Sequence, residues 1–196
     1  MVEMSLKPRQ VEILQVALRL LAEGGCHALT IRNIAFELGI TEPAIYRHFG
    51  SKKDLLMALY GYVWARLKDE VLPVLDAGGD PPQRLSRVVE STLSFLSKNK
   101  GVNLVLLSEA IHHNDPDLKG AMLELITNFQ KRLKEVLAEG MREGFFKDDL
   151  DLEVASRAVM GFVQSTVIFS LLKGEEREAG REASGFVRVF LRGVGR

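Results

Sequence analysis

Side chains able to do covalent or metal chemistry are few in this chain. It holds four histidines (His27, His48, His112 and His113) and one cysteine, Cys26. Glu109 and His112 stand three apart, the Glu-x-x-His spacing of di-iron helical bundles. Such a site needs a second pair of this kind and further carboxylates, and neither His27 nor His48 has a Glu three residues before it. Adjacent His112 and His113 would also point in different directions on a helix. The simpler account is a polar helix end beside a turn, and no metal is expected. Cys26 and His27 are neighbours with no group to orient them, which makes a poor catalytic pair. No nucleophile elbow, phosphate loop, dinucleotide fingerprint or zinc helix motif occurs. An enzyme is not expected, nor is a cofactor. A helical-bundle enzyme or metal-binding protein is the remote alternative.

A different chemistry is concentrated between Thr30 and Phe49, TIRNIAFELGITEPAIYRHF. Two short apolar-periodic segments flank Gly39, as in a helix-turn-helix. Ala35 is small enough for the helix crossing, and Gly39 allows the positive φ of the turn. Ile34, Leu38, Ile40 and Ile45 would form the inner faces. Glu42, Pro43, Ala44, Arg47 and His48 are left outside, on the helix that enters the major groove. Thr30 and Thr41 offer hydroxyls and free N–H groups at helix starts, where anions are favoured. Arg32, Tyr46, Arg47, His48 and Lys52 add phosphate donors. Double-stranded DNA is the expected partner.

The formal net charge is zero, from 26 Lys/Arg and 26 Asp/Glu. Residues 1–60 hold seven cations and six anions, so no broad basic field exists. DNA affinity must then rest on a few well-placed cations. One cysteine precludes an intramolecular disulfide and fits a reducing cytoplasm. Residues Met1 to Gln10 lack the apolar run of a signal peptide. The most apolar stretch, Ala155 to Leu172, contains Arg157 and Gln164 and is short for a bilayer span. It reads as a buried helix, and no membrane association is expected.

The elements that must position these groups are helices, since sustained two-residue alternation is absent. A first helix from about Pro8 ends at Gly24-Gly25, with Val11, Leu14, Ala17, Leu18 and Leu21 on one face. Thr30 caps a second and Thr41 a third, with Pro43 in its first turn. Ser51 caps a long fourth helix from Lys52 to about Leu75, with Asp54 favourably placed near its start. After the break DAGGDPP (Asp76 to Pro82), helices are expected at about Pro82–Lys98, Val102–His113, Asp117–Glu143, Leu152–Lys173 and Glu178–Arg192. The third of these carries the stripe Leu118, Met122, Leu125, Phe129, Leu133 and Leu137.

With these motifs in view, residues from about Lys7 to Leu67 resemble the DNA-binding domain of TetR-family regulators. The matching elements are Ala22-Glu23-Gly24-Gly25, Thr30-Ile31-Arg32, Ile34-Ala35, Gly39-Ile40-Thr41, Tyr46-Arg47-His48-Phe49 and Ser51-Lys52 with Leu55. The resemblance implies an all-α fold: an N-terminal three-helix helix-turn-helix domain (7–67), joined by a long helix to a C-terminal helical ligand-binding and dimerisation bundle (68–196). It implies that Thr41, Glu42, Pro43 and Ala44 lie at the groove-facing start of the recognition helix. Tyr46, His48 and Lys52 would contact phosphates, with Thr30 and Arg32 flanking. Cys26 departs from a frequent aromatic. Pro43 and Ala44 replace small or hydroxylated residues, and Glu42 replaces a frequent cation. Glu42 can read a base amino group or simply favour the helix dipole.

The same resemblance implies a ligand-responsive repressor acting as a homodimer on a palindromic operator. Ala155, Val159, Phe162, Val163, Phe186 and Phe190 supply the apolar surfaces expected at the dimer interface. Phe95, Leu106, His112, Phe129, Phe162 and Gln164 are the candidate pocket lining. Few charges are available to such a pocket, which points to a small apolar or aromatic effector. A DNA-binding adaptor regulated by a protein partner is the alternative within the same class.

Overall fold

The computed structural model describes residues 6–112, 114–174 and 179–195. His113 and Glu178 lie outside the described residues, as does the side chain of Cys26. Among the described residues there are ten helices and no strand. They are α1 (Pro8–Ala28), α2 (Ile31–Glu37), α3 (Glu42–Tyr46), α4 (Lys52–Glu70), α5 (Pro73–Asp76), α6 (Pro81–Lys98), α7 (Val102–His112), α8 (Pro116–Arg142), α9 (Leu152–Lys173) and α10 (Ala179–Val194). One pair of extended residues, Phe146 and Gly195, forms an isolated antiparallel bridge.

Two compact units result. One takes the chain up to Ala65 together with Asn99–Leu125; the other takes Arg66–Lys98 and Ile126–Arg196. In the first, α1 packs on α2 and α7, and α2 packs on α3. Ile13, Leu14, Ala17 and Leu21 of α1 are buried with Ile34, Ile45, Leu55 and Leu59. The spacing of the α1 residues places them on one stripe, so the helix is held by its apolar face and not by intrinsic propensity. Tyr60 is fully buried, and its hydroxyl donates to the Leu106 carbonyl at 2.8 Å. A buried phenol needs such a partner, and this one fixes α7 against α4.

Where α1 was expected to stop, it bends: Gly25 is non-helical (φ 63°, ψ −159°), and the chain winds on to Ala28. An L residue other than Gly would be strained there. The fourth helix is shorter than the expected run to Leu75. It ends at Glu70, and α5 starts afresh at Pro73. Proline has no N–H to continue the ladder and disfavours helical geometry in the residue before it.

In the second unit α6 is the central helix, packed by α5, α9 and α10. Arg84 donates to the Leu75 carbonyl (3.1 Å) and pairs with Glu139 (2.6 Å), and Arg87 donates to the Gly78 carbonyl. These bonds hold the glycine-rich connection before α6. Asp151 caps α9, accepting from the N–H groups of Glu153 (2.9 Å) and Val154 (3.1 Å). By length and composition alone α9 would suit a bilayer span. One of its faces is nevertheless core: Ala155, Ser156, Val159, Val163 and Val167 are buried, and the helix packs on α6.

Candidate nucleic-acid interface

The turn between α2 and α3 follows from its sequence almost residue by residue. Thr30 is extended (φ −122°, ψ 150°), and its hydroxyl oxygen accepts from the Asn33 N–H at 3.0 Å, as a helix cap should. The Asn33 amide donates to the Ala28 carbonyl at 2.9 Å. Gly39 has φ 63°, and its flanks are tied down: Gly39 N–H donates to the Phe36 carbonyl and Ile40 N–H to that of Ala35. Ala35, Ile34 and Ile45 are buried. Leu38 and Ile40, expected on the inner faces, are only half-buried.

Thr41 holds the extended cap conformation, yet its hydroxyl makes no capping bond. A cap oxygen normally accepts from the second or third helical N–H. Here the second helical residue is Pro43, which has no N–H, and the N–H of the third, Ala44, donates to the Thr41 carbonyl at 2.9 Å. The hydroxyl therefore stays available to an outside partner.

The outer surface is formed by exposed Arg32, Thr41, Glu42, Pro43, Tyr46 and Arg47, with Ala44 and His48 half-buried. Among the described residues, the side chains of Arg32, Thr41, Glu42, Tyr46, Arg47 and His48 make no hydrogen bond or ion pair. Other charges of this unit are engaged. Arg19 binds Glu37 at 2.6 Å and lies 3.8 Å from Glu23. Lys53 bridges Asp115 (2.8 Å) and Asp117 (2.6 Å). Its hydrogen bonds to the two carboxylates, Asp115 first, push its pKa up to about 12, and Lys53 in turn holds the Asp115 carboxyl below its usual range.

Lys52 is placed differently from the other expected phosphate donors. Its ammonium lies 3.9 Å from the carboxylate of Glu109, which is 4 % exposed on α7. Lys52 itself is half-buried. Sequence reasoning also missed two features. Asp115 caps α8, its Oδ1 accepting from the N–H groups of Asp117 (2.9 Å) and Leu118 (3.3 Å); an aspartate directly before Pro116 was the available signal. Phe36, on the solvent side of α2, is 82 % exposed, and only the tertiary arrangement shows it. Among the described residues no three His, Cys, Asp or Glu side chains gather as a metal site would require.

The candidate pocket residues are divided between the units. Leu106 is buried and His112 exposed in the first; in the second, Phe95 and Phe129 are buried, while Phe162 and Gln164 are half-buried. The Arg66 guanidinium lies over the Phe95 ring, 5.2 Å from its centroid. Of the expected interface residues, Ala155, Val159 and Val163 are buried within the chain, while Phe162, Phe186 and Phe190 are half-buried. The opposite face of α9 presents Val154, Ala158, Gly161, Ser165, Phe169 and Leu172, exposed at three- and four-residue spacing. Phe162 stacks on Phe186 (centroids 4.2 Å apart), which meets Phe190 at 5.3 Å. Phe162 and Phe186 border a hollow of about 420 Å³ that is also lined by Arg181, Glu182, Gly185, Arg188 and exposed Val189.

Comparison with known proteins agrees with this architecture. Residues 13–59 match the model of bacterial regulatory proteins of the tetR family, and residues 78–168 match the tetracyclin repressor-like C-terminal domain. The chain is 20 % identical over 188 residues to the fatty acid metabolism regulator protein of Bacillus subtilis, covering 96 % of each. It is 28 % identical over 165 residues to the nucleoid occlusion factor SlmA of Shewanella pealeana, covering 80 % of this chain and 84 % of that one. The crystal structure of the regulator FadR from Bacillus subtilis with stearoyl-CoA superposes with a TM-score of 0.81 at 19 % identity, over 93 % of this chain and 98 % of that one. The two matched regions account for well over half of the sequence, and the chain belongs to the TetR family of bacterial regulatory proteins, a DNA-binding transcriptional regulator and not an enzyme.

Proposed function

We propose that this regulator is a ligand-responsive repressor that binds a palindromic operator as a homodimer. The observation that carries the DNA-facing half of this reading is the outer surface of α2 and α3. Arg32, Thr41, Tyr46 and Arg47 are exposed there without an intramolecular partner, while Arg19 and Lys53 nearby are consumed in ion pairs. Unpaired donors on a groove-sized helix are suited to phosphate and base edges. Thr30, His48 and Lys52 extend the phosphate-facing set, and Pro43 and Ala44 form the apolar tip.

Dimerisation is supported by the apolar stripe on α9 and by Val189 on α10. An exposed surface of this composition is costly in water and marks an association site. A two-fold pairing of the two helices would bury it as a four-helix interface. It would also hold two recognition helices at a spacing of about 34 Å, one turn of DNA. Phe162, Phe186 and Phe190 belong at the edge of this surface.

The effector is proposed to be an apolar or weakly polar molecule such as a long acyl chain. Phe95 and Phe129 supply buried apolar surface of the right kind, and a relative of the same fold was solved with stearoyl-CoA. To act as a switch the effector must favour the non-binding state by a few kcal/mol. Its action is expected to pass through α4, whose first residues follow the recognition helix directly.

Selection of bound DNA from a random pool tests this reading together with sedimentation. A palindromic motif bound by a dimer is expected, and a long-chain fatty acid such as stearate should raise the melting temperature and release the DNA. A concentration-independent monomer, or stabilisation by charged metabolites but by no lipid or aromatic compound, would overturn the corresponding part.

A further inference from the structure

We propose that Glu42 reads a base: its carboxylate accepts a hydrogen bond from the exocyclic amino group of a cytosine in the major groove of each half-site. The inference rests on the operator-binding reading above. Two glutamates five residues apart are used differently. Glu37 is locked to Arg19 at 2.6 Å. Glu42, the first residue of α3, is exposed and makes no hydrogen bond or ion pair among the described residues.

The protein itself gives Glu42 no partner among the described residues. α3 has five residues, little more than one turn, so few peptide dipoles add up for the carboxylate to stabilise. Its side chain also bonds none of the free N–H groups at the start of α3. On the groove-facing surface, an unneutralised carboxylate is repelled by phosphates, and only a donor on the DNA can compensate.

The major groove limits what that donor can be. An ionised carboxylate only accepts. Guanine N7 and O6, adenine N7 and thymine O4 are acceptors; the donors are cytosine N4 and adenine N6. The adenine amino group lies between two acceptors, its own N7 and the O4 of the paired thymine. The cytosine amino group has an acceptor on one side only, the guanine O6, with a C5–H on the other. A carboxylate is therefore repelled less at cytosine. Exposed Pro43, next along the chain, provides an apolar contact of the kind that suits a thymine methyl.

The test is selection from a random DNA pool by the full-length wild-type protein and by the Glu42→Gln and Glu42→Ala variants, with melting curves to confirm that both fold. The wild type is expected to select a cytosine at one position per half-site. Glu42→Gln should move that position towards adenine, which an amide can bond at N6 and N7 together. Glu42→Ala should lose the preference there and keep the other positions. Replacing the selected cytosine by N4-methylcytosine, whose methyl occupies the groove-facing site of the paired base, should weaken the wild type by roughly ten-fold and leave Glu42→Ala unaffected. If the wild type selects a motif that both variants share, or if N4-methylcytosine binds as well as cytosine, the base-reading role is overturned while operator binding stands. If the wild type selects no motif at all, the operator-binding reading fails and the inference falls with it.

Discussion

The helix-turn-helix and the α9–α10 pair are both helical and rich in apolar residues, but their sequences constrain them to different degrees. In the former, turn chemistry leaves each residue little choice. Gly39 takes the positive φ, Thr30 caps, Pro43 opens α3, and Ile34 and Ile45 are buried. In α9, apolar residues lie on nearly every side, so periodicity does not distinguish the face that packs on α6 from the face left outside. The structure separates them: Val159 is 1 % exposed, and Leu172 is 79 % exposed. Where polar residues mark the surface, sequence orients a helix; where they are absent, only packing does.

The largest effects come from charging the two kinds of apolar position. Val159→Asp buries a carboxylate without a partner and should destabilise the fold by at least ~3 kcal/mol, read by urea denaturation. Val189 is 69 % exposed, so Val189→Asp should change the melting of the monomer little. Sedimentation should then show a monomer, and DNA affinity should fall by roughly 100-fold or more as the linkage between half-sites is lost. If both variants unfold, or if Val189→Asp remains a dimer, the assignment of the two faces is wrong.

A smaller contrast lies within the helix-turn-helix. Thr30→Ala removes a capping bond and should cost about 1 kcal/mol of stability. Thr41→Ala removes no intramolecular bond and should leave stability within ~0.5 kcal/mol, while weakening operator binding. Thermal melts and binding isotherms on both variants check this, and equal losses of stability would show that Thr41 caps after all.

The smallest effect concerns Lys53. Its pKa is raised from 10.5 to about 12, and that of Asp115 is lowered from 3.8, chiefly by their mutual hydrogen bond. The lysine's contribution is complete below 10.5 and is lost as pH rises through about 12. The aspartate's is complete above 3.8 and is lost as pH falls through its lowered value. The melting difference between wild type and Lys53→Met should be flat from about pH 5 to 10 and shrink towards both extremes. Lys53 and Asp115 are half-buried and still reached by solvent, so the plateau is expected to be modest and reduced by salt. A difference that does not change with pH would mean that Lys53 acts through packing alone.

The sequence by itself determined the all-helical class, the two caps at Thr30 and Ser51, the turn at Gly39 and the placing of Glu42, Pro43 and Arg47 outside. Such features depend on a few neighbouring residues and on backbone rules that hold wherever the segment sits. The tertiary structure alone decided that Lys52 lies beside buried Glu109, that Lys53 fastens the start of α8, that Thr41 has no donor to cap, and that Ala155, Val159 and Val163 face inward. All but the Thr41 result depend on partners dozens of residues away. Thr41 depends on where the Ala44 N–H goes once Pro43 offers none. The direction in which an apolar or charged side chain is used is set by which helix comes to lie against it, and local sequence carries no record of that.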